Sequence, residues 1–77
     1  MDYEEWLNRA INKTSVLSVG TVFVLKDLFE GVEWNTLTNG ERRELGRQFK
    51  IKVNRGLVPD IKYYGKAQNN SSKYTKE

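Results

Sequence analysis

Residues 38–54 read TNGERRELGRQFKIKVN, and the spacing of their apolar and basic residues predicts one long helix. At about 100° per residue, Leu45, Phe49 and Val53 share one face of such a helix, which we expect to be buried. The opposite face carries a polar stripe that consists of Arg43, Arg47, Lys50 and Asn54. The stripe contains no acidic residue, so we interpret it as a candidate binding surface.

Capping signals mark both ends of this helix. Thr38 followed by Glu41 has the form of a capping box, and Gly56 is expected to be the left-handed residue just after the helix. Gly46 weakens the helix by roughly 1 kcal/mol relative to alanine. We interpret Gly46 as a point where another helix approaches closely. Glu41 and Glu44 are expected to lie away from the basic stripe.

The composition narrows the classes of function. A chain of 77 residues is long enough for one small domain, which buries only about 60–65% of its unfolded surface. It contains no cysteine and no histidine, so disulfides and the usual zinc ligands are excluded. No glycine-rich phosphate loop or serine elbow is present, and paired carboxylates such as Glu4 and Glu5 are explained by helix caps. We therefore expect no enzymatic activity, no metal and no cofactor.

The net charge of +3 conceals an asymmetry along the chain. Residues 1–40 contain three basic and six acidic side chains, whereas residues 41–77 contain ten basic and four acidic ones. A basic half of this kind favours a phosphate-rich partner, because neutralised phosphates release counterions and so contribute affinity. The structural alternative is an ordinary solvated surface, since Arg and Lys are good helix formers.

The N-terminal residues predict a first helix and a cytoplasmic location. Asp2 and Glu5 have the form of a second capping box, and apolar residues at spacings of three and four build one face over residues 3–13. We expect Trp6 to anchor the core on that face. The acidic start lacks the features of a signal peptide, and no apolar run approaches the roughly 20 residues of a membrane span.

Residues 21–37 predict a short strand and a short helix. The segment TVFV at 21–24 is rich in β-branched residues, which favours a strand. The segment KDLFE at 26–30 predicts a helical turn or two that Gly31 would end. We place Trp34 and Leu37 in the connection that leads to the long helix, and we expect both to be buried.

The C-terminal segment predicts a hairpin. Strands are expected at residues 61–64 and 71–76, because both alternate apolar and polar residues around a turn-prone loop. The alternation places Ile61, Tyr63 and Tyr74 on the inner face. The residues expected on the outer face are Lys62, Tyr64, Lys73 and Thr75.

This order of elements is that of an α+β winged helix-turn-helix domain with three helices, a short strand and a C-terminal hairpin. We assign residues 1–77 to one such domain. Its tail from about residue 68 is either the second strand of the hairpin or a frayed polar end.

The leading hypothesis is a small protein that binds duplex DNA and acts as a transcriptional regulator, with a homodimer as one arrangement. The forked donors of Arg43 and Arg47 suit guanine, and Asn54 suits adenine, with Lys50 on the same face. On the hairpin, phosphate contacts are predicted for Lys62, Lys66 and Lys73, and the tip near the minor groove would carry Asn69 and Asn70.

Two other classes of function remain open. The first is a protein-interaction module of the same fold, whose basic face docks on an acidic protein and binds no nucleic acid. The second is binding of single-stranded nucleic acid, with unpaired bases stacked on Tyr63, Tyr64 or Tyr74. The structural alternative for these tyrosines is a half-buried place in the hairpin.

The chain also resembles a family of small bacterial proteins that is classed only as a domain of unknown function, some of them carried by phages and mobile elements. The resemblance spans about residues 19–76. It rests on GTVFVLKDLF at 20–29 and on a second set made up of Trp34, Leu37, Gly40, Arg42, Leu45, Gly46, Arg47, Phe49 and Val53. A looser match includes Gly65, Lys66, Asn69 or Asn70, and Tyr74. The resemblance implies a strand, two helices and a wing, but it implies no activity and no catalytic residue.

Overall fold

The computed structural model describes residues 1–77, which form three α-helices and one three-stranded sheet. The helices are α1 (Tyr3–Thr14), α2 (Gly31–Asn35) and α3 (Asn39–Asn54). The strands are β1 (Val22–Val24), β2 (Ile61–Lys66) and β3 (Ser72–Lys76), and a 3₁₀ turn over Leu25–Leu28 follows β1. The predicted mixture of helices with a C-terminal hairpin is therefore confirmed.

The sheet is antiparallel in the order β1-β3-β2, so the last strand of the chain is the central one. Phe23 of β1 and Tyr63 of β2 both stand opposite Tyr74 of β3. The alternative of a frayed tail does not describe this structure, because β3 is hydrogen-bonded on both edges. The pairing of β1 with β3 was not predicted.

The core forms around Tyr74, whose side chain is only 1% exposed. Its ring meets Phe49 of α3 edge to face, with centroids 5.0 Å apart, and lies 5.8 Å from the ring of Phe23. Leu45, Phe49 and Val53 are all buried, as the apolar stripe predicted. The sheet thus packs directly on α3.

Helix α3 begins and ends as predicted. The Glu41 backbone N–H donates to Thr38 Oγ1 (3.1 Å), and the Thr38 N–H donates to Glu41 Oε1 (2.9 Å), which completes the capping box. At the other end Gly56 has φ +73°, and the Leu57 N–H donates to the Lys52 carbonyl (2.9 Å). This Schellman arrangement satisfies the last carbonyls of the helix.

The N-terminal helix also agrees with its prediction and extends one residue further, to Thr14. Asp2 Oδ1 accepts a hydrogen bond from the Glu5 N–H (3.2 Å), which is one half of the predicted capping box. Trp6 is partly buried and packs on Phe29, with ring centroids 4.9 Å apart. It therefore borders the core rather than lying at its centre.

The prediction for residues 25–35 was wrong in its boundaries. The helical turn begins at Leu25, one residue before the predicted start. Asp27 Oδ2 accepts a hydrogen bond from the Val24 N–H (3.0 Å), and this bond caps the start of the turn. Gly31 begins α2 instead of ending a helix. Trp34 accordingly lies within α2, not in a connection, and both Trp34 and Leu37 are buried as expected.

The hairpin is longer and more irregular than predicted. Strand β2 continues to Lys66, and the register shifts between Tyr63 and Gly65, where Gly65 adopts φ +129°. Ile61 is buried as expected, but Tyr63 is 37% exposed and lies only at the margin of the inner face. Tyr63 stands at the start of the register shift, and a bulge of this kind bends the strand locally and redirects its side chains.

Tyr74 leads to a prediction about alkaline stability. Burial raises the pKa of Tyr74 to about 12 from an ordinary value of 10.0. A raised folded-state pKa stabilises the fold at pH values below 10, and this contribution is lost as the pH rises toward 12. We expect the free energy of unfolding to fall more steeply over this interval in the wild type than in Tyr74→Phe.

Chemical denaturation at a series of pH values measures this difference. The control is Tyr64→Phe, which removes an exposed hydroxyl and should follow the wild-type curve. Parallel curves for Tyr74→Phe and the wild type would contradict the assignment.

Candidate nucleic-acid interface

A concave depression with a volume of about 790 Å³ lies between α3, the end of β1 and the tip of the hairpin. We call it the basic groove, because no aspartate or glutamate lines it. Its six cationic lining residues are Lys26, Arg42, Arg43, Arg47, Lys50 and Lys66. Trp34, Leu25, Val24 and Tyr74 supply the apolar part of its lining.

Local hydrogen bonds fix the tip of the hairpin that forms one wall of the groove. Asn70 has φ +70°, a left-handed conformation that asparagine tolerates. Asn69 Oδ1 accepts a hydrogen bond from the Ser71 N–H (3.2 Å), and the Ala67 N–H donates to the Ser71 carbonyl (2.8 Å). Both asparagines therefore lie at the tip, as predicted, and both line the groove.

The structure brings together four of the seven residues predicted to contact DNA. The groove contains Arg43, Arg47, Lys50 and Lys66. The remaining three, which lie outside it, are Asn54, Lys62 and Lys73. Asn54 is at the far end of α3, Lys62 Nζ is 3.5 Å from Glu77 Oε2, and Lys73 Nζ lies 5.2 Å from the ring centroid of Tyr64 on the outer face of the sheet.

The stripe on α3 is not free of acidic contacts, and this part of its interpretation was wrong. Arg47 donates through Nε and Nη2 to the two carboxylate oxygens of Glu44, at 3.0 and 2.6 Å. Glu44 lies three residues earlier on the helix, where i, i+3 side chains are neighbours. Glu44 also accepts a hydrogen bond from Gln48 Nε2 (2.7 Å). Arg47 therefore presents less positive charge than Arg43, which forms no ion pair.

These hydrogen bonds hold Glu44 in its charged form. The hydrogen bond from Arg47, followed by the one from Gln48, lowers the pKa of Glu44 from 4.5 to about 2. The same pair raises the pKa of Arg47. The Glu44–Arg47 pair is consequently charged at any pH well above 2.

Arg42 and Lys26 belong to the groove and were missed as candidate site residues. The Arg42 guanidinium lies over the Trp34 ring, with Cζ 5.8 Å from the centroid, and Nη2 donates to the Trp34 carbonyl (3.3 Å). Its Nε is enclosed and has no hydrogen-bond partner. Lys26 follows β1, and only the pairing of β1 with β3 brings it beside the hairpin. No local sequence signal could show that pairing.

The structure also contradicts the interpretation of Gly46 as a point of close helix packing. No helix approaches it, because an added Cβ would meet no other atom within 4 Å. Gly46 instead lines the basic groove, between Arg43 and Lys50 on the same face of α3. The spacing of three and four residues in Arg43, Gly46 and Lys50 was the sequence signal for this position.

A second depression, of about 350 Å³, lies beside α1 and has mixed charge. Its Arg9 donates to both carboxylate oxygens of Glu33 at 2.6 Å and lies over the rings of Trp6 and Phe29. This arginine is thus paired with a carboxylate of the same chain. No group of three or more metal-ligating side chains is found, and no helix is both long enough and apolar enough to cross a membrane.

Comparison with known proteins places the chain in a family. Residues 8–76 match DUF1413, a domain of unknown function. The chain belongs to this family. The resemblance to a domain of unknown function is thereby confirmed, and the match extends into α1. No curated protein matches the chain.

Among solved structures, the DUF1413 chain is similar to that of LP1413 of SCCmec type IV, a nucleic-acid-binding protein. The two are 26% identical and superimpose with a TM-score of 0.70. The similarity covers 96% of this chain and 85% of the other. It therefore includes all three helices and the sheet.

The Glu44–Arg47 pair leads to a test of the groove's geometry. We expect an NMR titration of the Glu44 carboxyl to show a midpoint near pH 2 in the wild type, because the Arg47 hydrogen bond lowers this pKa. Its contribution to stability is present above about pH 4.5 and is lost as the pH falls toward 2. In Arg47→Gln the midpoint should move back toward 4.5.

The matched control is Arg43→Gln, which removes an equal charge one helical turn away. It should leave the Glu44 midpoint near 2. Equal shifts in the two variants would show that general charge, not the hydrogen bond, sets this pKa.

Proposed function

We propose that this DUF1413 protein binds nucleic acid and holds the sugar–phosphate backbone in the basic groove. The observation that carries the proposal is a concave surface with six cationic side chains and no carboxylate in its lining. The similarity to LP1413 over 96% of the chain supports it, since that protein binds nucleic acid.

The groove matches the chemistry of a phosphate backbone. Lys26, Arg43 and Lys66 form no ion pair within the chain, so their charge is available to a ligand. Arginine offers forked donors that match two phosphate oxygens, and asparagine and serine at the hairpin tip add neutral donors. Neutralising several phosphates together releases counterions, which contributes affinity without base contacts.

The order of the elements supports duplex DNA as the ligand. Helices α2 and α3 follow one another across a short connection, which is the order of a helix-turn-helix, and β2 and β3 come next in the chain, where a wing would. In winged helix-turn-helix proteins the second of these helices enters the major groove and the wing contacts the flanking backbone. If α3 is this recognition helix, the protein would bind duplex DNA in the cytoplasm. Regulation of transcription is the function that agrees with such binding.

Single-stranded nucleic acid is the second candidate, and two observations favour it. Arg43, Arg47 and Lys50 of α3 form a wall of the basic groove, and single-strand binders hold the backbone in grooves of this charge. The hairpin also exposes aromatic rings on which bases stack, since Tyr63 is 37% and Tyr64 59% exposed.

Fluorescence anisotropy with labelled oligonucleotides of one sequence, as duplex and as single strand, tests the proposal. We expect binding at low salt that weakens as salt rises, because counterion release supplies much of the affinity. The tighter of the two ligands identifies the preferred form. If neither ligand binds at low salt, the proposal is wrong, and a protein-interaction module becomes the leading interpretation.

The site itself is tested by Arg43→Gln. Log affinity falls as log salt rises, and losing one phosphate contact should make this slope shallower by about 0.9 for a duplex or about 0.7 for a single strand. The control Lys13→Gln removes the same charge from α1, outside the basic groove, and should leave the slope unchanged. Equal losses in both variants would indicate general charge attraction rather than binding in the groove.

A further inference from the structure

Gly46 lies in the middle of α3, where it has an energetic cost and no packing role. Glycine within a helix costs roughly 1 kcal/mol relative to alanine. Close packing does not explain it, because a Cβ at this position would meet no atom within 4 Å. A turn does not explain it either, since Gly46 is a regular helical residue without positive φ.

The surroundings of Gly46 are cationic. Arg43 lies three residues before it and Lys50 four residues after it, so all three share one face of α3. Arg42 and Arg47 flank this face, and all five residues line the basic groove. Lys50 is held in place by Tyr63, with Nζ 4.4 Å from the ring centroid. The helix backbone is therefore partly exposed at Gly46, at the centre of a cluster of four positive side chains.

We infer that Gly46 is the floor of a phosphate subsite, where one phosphodiester group of the bound nucleic acid lies directly against the backbone of α3. The inference rests on the proposed function and assigns one position within it. Glycine is the residue that allows a ligand to approach the backbone closely. The Coulomb attraction strengthens as the distance shortens, so close approach favours contact with Arg42, Arg43 and Lys50, which form no ion pair.

Substitutions at Gly46 separate this role from a role in folding. Gly46→Ala and Gly46→Leu both introduce better helix formers, and the Cβ that both variants add would meet nothing within 4 Å. Both variants should therefore unfold at the same temperature as the wild type or higher. Binding should change in the opposite direction, with Gly46→Leu weaker by about tenfold or more and Gly46→Ala between it and the wild type.

Gly40 provides a matched control on the same helix. It is exposed in the first turn of α3, it does not line the groove, and a Cβ there would meet only Thr38 Oγ1 at 3.9 Å. Gly40→Ala and Gly40→Leu should bind the oligonucleotide within about twofold of the wild type, since no phosphate contact is expected there.

The salt dependence distinguishes a lost phosphate from a lost base contact. Anisotropy titrations at several salt concentrations use the oligonucleotide that the wild type binds more tightly. Gly46→Leu should lower the slope by about 0.7–0.9, the value for one phosphate. The subsite is overturned if Gly46→Leu binds as well as the wild type, if its slope is unchanged, or if Gly40→Leu loses as much affinity. A wild type that binds neither ligand overturns the proposed function and the subsite together, which separates the two kinds of failure.

Discussion

The burial of Tyr74 is the constraint on which the rest of the structure depends. This one side chain lies opposite Phe23 and Tyr63 in the sheet and packs edge to face on Phe49 of α3. It therefore joins both neighbouring strands to the long helix. The same strand ends with Lys76, whose Nζ donates to the Thr14 carbonyl (2.9 Å) at the end of α1. Both walls of the basic groove, α3 and the hairpin tip, are positioned through this residue.

The parts of the fold that could be predicted are those with local signals. Helix α3 has an apolar stripe, a capping box at Thr38 and a left-handed Gly56, and each signal acts within a few residues of the chain. Residues 25–35 could not be predicted in this way. Gly31 is a residue type that often ends helices. The preceding helical turn, however, is capped by the Asp27 carboxylate, and burial of Trp34 favours a new helix that begins at Gly31. Pairing of β1 with β3 depends on residues about 50 positions apart and leaves no local pattern.

The candidate site was predictable to the same extent and for the same reason. Residues on one helix face, such as Arg43 and Lys50, follow from helical periodicity alone. Lys26 does not, because tertiary pairing brings it to the groove. Arg47 shows a different kind of error. Residues three apart are neighbours on a helix, so the spacing of Glu44 and Arg47 was itself a local signal for the two hydrogen bonds that join them.

The internal pairing of Arg47 makes the groove electrostatically uneven along α3. A phosphate that contacts Arg47 must compete with a carboxylate that is already hydrogen-bonded to it, whereas Arg43 and Lys66 are free of ion pairs. Toward the C-terminal end of the helix, Asn54 is neutral and outside the groove. Of the unpaired cations that α3 contributes to the groove, Arg42 and Arg43 lie in its first two turns, and only Lys50 lies beyond Arg47. The helix dipole adds to this bias, because its positive end is also at the N-terminus. Gly46 lies between Arg43 and Lys50 on the same face of α3, so a phosphate held there would be near two cations that form no ion pair.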